Sequence, residues 1–226
     1  MASQLTQSDS IESAHLELEL DDQASRVYVI YRRPFRRHYE VKSVADQLLY
    51  YGELSSFRRR KPDLTLHRGA SVNAPVVAAS KINMSGHFNL ALGDPDDLNN
   101  VQWEDMTRFS WAHQQYRFEM NMSSSNDLTY NTERRSFIWK RTRSVGIDDS
   151  SPSWSSRNYK LMDEKAGELV AVFTNKRSIG QCGRLQIKEE DGEWFDTMIL
   201  LSYMSIYEKF DRRNRQRAAA AGGGGA

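Results

Sequence analysis

The chain has a single cysteine in 226 residues, Cys182, so it can form neither an intrachain disulfide nor a cysteine-based metal site. A lone thiol fits a reducing compartment, the cytosol or the nucleus. Net charge is almost lacking too: 31 basic side chains face 30 acidic ones, for a formal charge of +1. That balance argues against a general nucleic-acid binder, which would show a basic excess. No hydrophobic run is long enough to span a bilayer. From Thr197 to Tyr207 no side chain is charged, but a transmembrane helix needs about 20 such residues. The polar start M-A-S-Q-L-T-Q-S-D-S has neither a basic region nor an apolar stretch, so no signal peptide is expected. Asn83-Met84-Ser85 and Asn121-Met122-Ser123 are then chance matches to the glycosylation pattern.

Catalytic signatures are missing as well. No H-E-x-x-H, G-x-S-x-G, Walker loop or G-x-G-x-x-G occurs. His15, His38, His67, His87 and His113 share no metal-binding spacing, and each is read as a turn or surface residue. Asp94, Asp96 and Asp97 surround Pro95 but lack the spacing of a calcium loop. A tight turn is expected there, with Asp94 hydrogen-bonded to nearby backbone. No catalytic residue, metal or cofactor is expected, and the chain is read as non-enzymatic.

What the sequence does have is aromatic and β-branched residues in short, turn-punctuated segments. With 9 Phe, 5 Trp and 10 Tyr, one sizeable core can be buried. Strands are expected at 27–31, 39–42, 48–54, 63–67, 75–82, 88–92, 101–105, 116–122, 136–142, 159–162, 169–174 and 184–188. Their spacing points to a sandwich or barrel rather than a βαβ fold. Gly69 and Gly167 each sit in a polar turn between two such segments, where a positive φ is needed, and the two strand-turn-strand units look like weak internal repeats. Cys182 lies between two glycines just before the last strand and reads as a buried thiol.

The C-terminal apolar run is expected to be a helix from about Trp194 to Asn214. On a helical wheel Phe195, Ile199, Tyr203, Ile206, Tyr207 and Phe210 form a broad stripe, while Met198 and Leu201 fall opposite. A helix apolar on nearly every side has to be enclosed. From Phe195 to Phe210 it would span about 24 Å, comparable to a barrel of tilted strands. An open sheet or a membrane are the other places such a helix could rest. The expected fold is mainly β: a closed antiparallel barrel of about twelve strands around a central hydrophobic C-terminal helix. One domain is expected over 20–215, with a disordered segment at 1–19 and a low-complexity Ala/Gly tail at 216–226.

The phrases K-P-D-L-T-L-H-R-G (61–69), A-P-V-V-A-A-S-K (74–81), L-G-D-P-D-D (92–97), V-Q-W-E-D-M (101–106), R-R-S-F-I-W-K-R-T (134–142) and S-R-N-Y-K-L-M-D (156–163) carry a resemblance. In this order they look like an uncharacterised fungal group with a tubby C-terminal-like domain. That group is akin to the tubby-like superfamily, which includes phospholipid scramblases and LURP-one-related proteins. The resemblance covers roughly 39–212 and implies a twelve-stranded barrel around a helix. It implies no chemistry, and the phosphoinositide-binding residues of tubby proper have no matched positions here.

Three basic clusters are the candidate ligand sites. Arg32, Arg33, Arg36 and Arg37 flank a strand-breaking proline. Arg58, Arg59, Arg60 and Lys61 follow Phe57, a possible apolar insert, and are the first choice. Arg134, Arg135, Lys140, Arg141 and Arg143 surround the apolar centre of one strand, with Lys140 and Arg141 on opposite faces. Arginine suits bidentate phosphate contacts, so an anionic phospholipid headgroup, bound peripherally, is one expected partner. The other is a protein partner in the cytoplasm or nucleus, with the arginines serving as solvated strand ends, protected edges or ion-pair partners. Single-stranded nucleic acid would use similar ingredients, but overall neutrality disfavours it.

Overall fold

The computed structural model describes residues 26–32, 37–55, 61–83, 85–109, 115–123, 132–147, 155–176, 178, 180–188 and 191–222. Its strands are β1 (Arg26–Tyr31), β2 (His38–Lys42), β3 (Leu48–Leu54), β4 (Leu64–Arg68), β5 (Val76–Ile82) and β6 (Phe88–Leu92). They continue as β7 (Gln102–Arg108), β8 (Gln115–Ser123), β9 (Thr132–Arg141), β10 (Tyr159–Asp163), β11 (Leu169–Asn175) and β12 (Gln181–Ile187), followed by the helix α1 (Glu193–Gly222). Each strand pairs antiparallel with its sequence neighbours, and β1 pairs β12, so the barrel is closed. Closure leaves no unpaired strand edge among the described residues.

Period-two alternation sends one face of each strand inward. Tyr28 and Ile30 of β1, Leu64 and Leu66 of β4, and Phe137 and Trp139 of β9 join the core in this way. The lumen is filled by α1, on which every residue from Phe195 to Glu208 is buried. The expected plug is therefore present.

The filling is asymmetric. The helix lies nearest β5 and β6, where the wall offers the small Ala78 and Ser80, and Gly52 of β3 meets Met204. Large rings occupy the wider opposite side. Phe173 stacks on Tyr203 at 3.9 Å between centroids, and Trp139 lies at 5.3 Å from the same ring. The polar atoms of the helix are satisfied from the wall: Trp139 Nε1 donates to Ser202 Oγ at 2.9 Å, and the hydroxyls of Ser80 and Ser205 are 2.7 Å apart.

Several boundaries differ from the sequence expectation. The helix runs past Asn214 to Gly222, because its alanines are the best helix formers and no stop occurs before the glycines. Strand β12 begins at Gln181, so Cys182 lies inside the strand, where it is buried, rather than before it. Gly183, a residue type that usually weakens a strand, stands within it. Its lack of a side chain is required: a Cβ there would stand 2.3 Å from the Thr174 carbonyl oxygen and 2.4 Å from Phe173. His67 is not a surface residue but is buried in β4, its Nδ1 2.9 Å from the Ala74 carbonyl. The turn readings hold. Gly167 has φ of 72°, and Asp94 Oδ1 accepts the Asp96 amide at 3.0 Å.

Candidate functional site

Because the strands alternate in direction, the barrel connections sort into two rims. Those after β1, β3, β5, β7, β9 and β11 leave from the rim where α1 emerges; those after the even strands, and the segment leading into α1, lie at the other. At the helix-exit rim the described connecting residues include Arg32, Arg37, Lys61, Arg143, Arg157 and Lys176. The emerging helix adds Lys209, Arg212, Arg213, Arg215 and Arg217. Among the described residues, the carboxylates of these segments are Asp63, Glu208 and Asp211. At the opposite rim stand Asp46, Asp94, Asp96, Asp97, Glu164, Glu168 and Asp191, with Glu193 and Asp196 in the first helical turn. Lys165 and Lys188 are the bases of those connections, and Arg26 and Arg68 at nearby strand ends pair with Asp196 and Glu193. The described rims of a chain neutral overall thus differ in charge.

The arginine clusters divide accordingly. Arg33, Arg36, Arg58, Arg59 and Arg60 lie outside the described residues, as does Phe57, but the residues flanking them, Arg32, Arg37, Ser55 and Lys61, are at the helix-exit rim. The third cluster splits. Arg141 stands at that rim on the inward parity of Phe137 and Trp139, its buried Nε without a hydrogen-bond partner, while Lys140 lies on the outer face opposite Lys160. Arg134 and Arg135 are at the other rim as ion-pair partners. Arg134 grips Glu104 through two contacts of 3.0 and 2.6 Å, and Arg135 bonds Asp163 at 2.7 Å and Asp191 at 3.0 Å.

At the helix-exit rim the central group is Glu208, which is 1% exposed. Its Oε2 accepts Tyr39 Oη at 2.7 Å and Arg32 Nη1 at 3.0 Å; its Oε1 accepts Arg212 Nε and Arg215 Nη2, each at 2.9 Å. Arg32 also contacts Asp211, and Arg212 reaches Asp63 at 2.7 Å. This network seals the lumen by pairing every carboxylate with arginine. Above it opens a cleft of about 340 Å³ lined by Arg32, Arg37, Leu54, Glu208, Arg212 and Arg215. Arg37 has no carboxylate partner among the described residues. Burial pushes the neighbouring Cys182 thiol up to about 11, so it stays protonated and unreactive at neutral pH.

A second basic group lies on the same rim. Lys209 Nζ donates to the Gly86 carbonyl at 3.0 Å and sits over the rings of Phe88 and Tyr116 at 4.9 and 5.3 Å. Burial, reinforced by the positive charges of Arg108 and Arg213, pushes its pKa down to about 8. Sequence reading missed Arg108, Lys209, Arg212, Arg213 and Arg215, because only the fold brings the end of the last helix to the loops of the first strands. One signal was available: in an up-and-down barrel alternate connections share a rim, and here those at 32–37, 55–63 and 176–180 are basic while those at 93–101, 164–168 and 188–192 are acidic.

No protein-family model matches the chain, and no curated protein matches it. Among solved structures, the X-ray structure of a protein from Arabidopsis thaliana is similar at 13% identity and a TM-score of 0.49, covering 83% of this chain and 91% of that one. Among the described residues no helix is long and apolar enough to cross a membrane.

Proposed function

We propose that this chain is a non-enzymatic, tubby-like barrel that binds anionic phospholipid headgroups, phosphoinositides among them, at its helix-exit rim. The observation that carries the reading is the collection of basic connections on one rim of an otherwise neutral molecule. Near an anionic leaflet each basic residue contributes about 1 kcal/mol, so several together give a salt-sensitive peripheral attachment. The polarity turns that rim toward the membrane, and the lone reduced thiol suits a protein at the cytoplasmic face. Flotation with neutral vesicles and with vesicles containing phosphoinositide tests the proposal. Selective flotation with the anionic vesicles, lost when Arg37 and Arg58–Lys61 are neutralised, supports it. Equal binding to both vesicle types, or no effect of neutralisation, refutes it.

A scaffold function is the second reading, and a separate observation favours it. At the opposite rim Trp194 is 58% exposed and stands between clefts of about 260 and 420 Å³. Leu98 is exposed in the connection at that rim, and Trp103 on β7 beside it. Exposed aromatics of this kind mark protein interfaces. A stoichiometric protein partner, lost in Trp194→Ser and accompanied by no flotation, would establish this reading instead.

A further inference from the structure

Exposed apolar side chains gather at the rim where α1 enters the barrel. Of the six large ones exposed among the described residues, Val44, Val72, Leu98, Trp103 and Trp194 stand at that rim, and Phe109 at the other. Trp194 lies between two clefts, and each touches the connection from β6 to β7. Gly93, at the start of that connection, lines the smaller cleft with Trp194; Asn100, near its end, lines the larger. The two ends lie together, since a Cβ on Gly93 would stand 2.9 Å from the Asn100 carbonyl oxygen. The connection is thus a compact loop beside Trp194, with Leu98 exposed in it.

The larger cleft, of about 420 Å³, falls in the size range of sites that enclose ligand groups. The buried Met120, Met122 and Phe195 line it, together with the polar Asn100, Gln102 and Asn121. Methionine adapts to irregular apolar shapes, so the lining suits a large apolar side chain. The amides supply donors and acceptors for the backbone that carries it.

The surroundings are acidic. Asp191 and Glu193, beside the clefts, are paired with Arg135 and Arg68. Among the described residues Asp94, Asp96 and Asp97 meet no base. The donors to Asp94 and Asp97 are neutral groups of their own loop. Three carboxylates within four residues attract a cationic partner, and the exposed rings of Trp103 and Trp194 offer faces to cations.

We infer that the larger cleft, Trp194 and the loop of Asp94, Asp96 and Asp97 form a docking site for a basic linear peptide. That peptide carries one large apolar side chain with lysine or arginine on either side. The apolar side chain enters the cleft beside Trp194, and the bases lie against the loop. The inference rests on the scaffold reading for the use of this rim and adds the chemistry of the partner.

Short random peptides displayed on phage and selected against the full chain provide the probe, and anisotropy of the enriched peptides, labelled, gives affinities. The enriched peptides are expected to share an apolar residue flanked by lysine or arginine, and to bind more weakly as salt rises. Trp194→Ser should weaken binding about tenfold or more, and Asp96→Asn several-fold. Val44→Ser, an exposed apolar change elsewhere on the rim, should leave it unchanged. The Asp96 side chain is exposed, so Asp96→Asn keeps the fold whatever Trp194→Ser does; thermal melting of each variant checks this. Enriched peptides that need Trp194 but carry no bases overturn the inference and leave the scaffold reading standing. Absence of any Trp194-dependent peptide overturns both. Oligomers of the chain that form with rising concentration and resist the peptides assign the rim to a second copy, which also overturns the inference.

Discussion

The Tyr39 hydroxyl donates to the Glu208 carboxylate at 2.7 Å, joining the second strand to the last helix across the mouth of the barrel. Neither group reaches solvent. Burial and the Glu208 charge hold the Tyr39 hydroxyl well above its ordinary pKa, so it stays a donor throughout the accessible pH range. Removing the carboxylate would leave Arg32, Arg212 and Arg215 short of their shared acceptor. Glu208→Ala should destabilise the fold by about 3–5 kcal/mol, as breaking a buried pair does. Urea denaturation measures it, and a loss below about 1 kcal/mol would show the network to be dispensable.

The enclosed helix makes a sharper demand. Leu200 is 1% exposed and faces the lumen. Leu200→Ala should cost about 2–5 kcal/mol through the cavity it leaves. Leu200→Asp buries an unpaired charge and should abolish cooperative folding. A soluble Leu200→Asp variant with a cooperative thermal transition would contradict the placement of α1.

Trp139 and Ser202 provide a quieter test of the same placement. Ser202→Ala leaves the indole N–H buried without an acceptor, at a cost of about 1–3 kcal/mol. Ser202→Val adds volume where the helix is enclosed and should cost more. Near-ultraviolet circular dichroism will follow the tryptophan environment while chemical denaturation gives the stability.

Lys209 sets a pH dependence. Its pKa is lowered to about 8 in the folded chain against 10.5 when unfolded. Between these values the unfolded state binds more protons, so this group makes stability rise as pH increases from about 8 to 10.5. Below about 8 the folded state bears the full cost of the buried charge. The stability difference between Lys209→Met and wild type should therefore shrink over this interval. Melting temperatures of both proteins from pH 7 to 10 give the answer, and a difference independent of pH would show Lys209 to be unperturbed.

Much of the barrel was legible because its causes are local. Alternating apolar residues mark each strand, Gly69 and Gly167 mark turns, and the uncharged run from Thr197 requires enclosure. Strand ends were less legible where tertiary contact overrides propensity, as at Gly183, whose missing side chain makes room for Phe173. The rim site was the least legible. Arg32 was visible as a basic residue in a row, yet whether it is quenched depends on Glu208, distant in the chain. Lys209 drew no notice as a site residue within an ordinary charged helical turn, although the fold sets it beside Arg108 and Gly86.

The helix that fills the lumen follows every strand that surrounds it. As the chain is synthesised, the walls are therefore complete before their filling exists, and a nascent barrel has nothing to close around until Phe195–Glu208 has emerged. Wall and filling must then condense together, through contacts as distant in sequence as Arg26 with Asp196. Such long-range closure makes for slow folding, and it exposes the inward faces of twelve strands to their neighbours in a crowded cell for as long as it lasts.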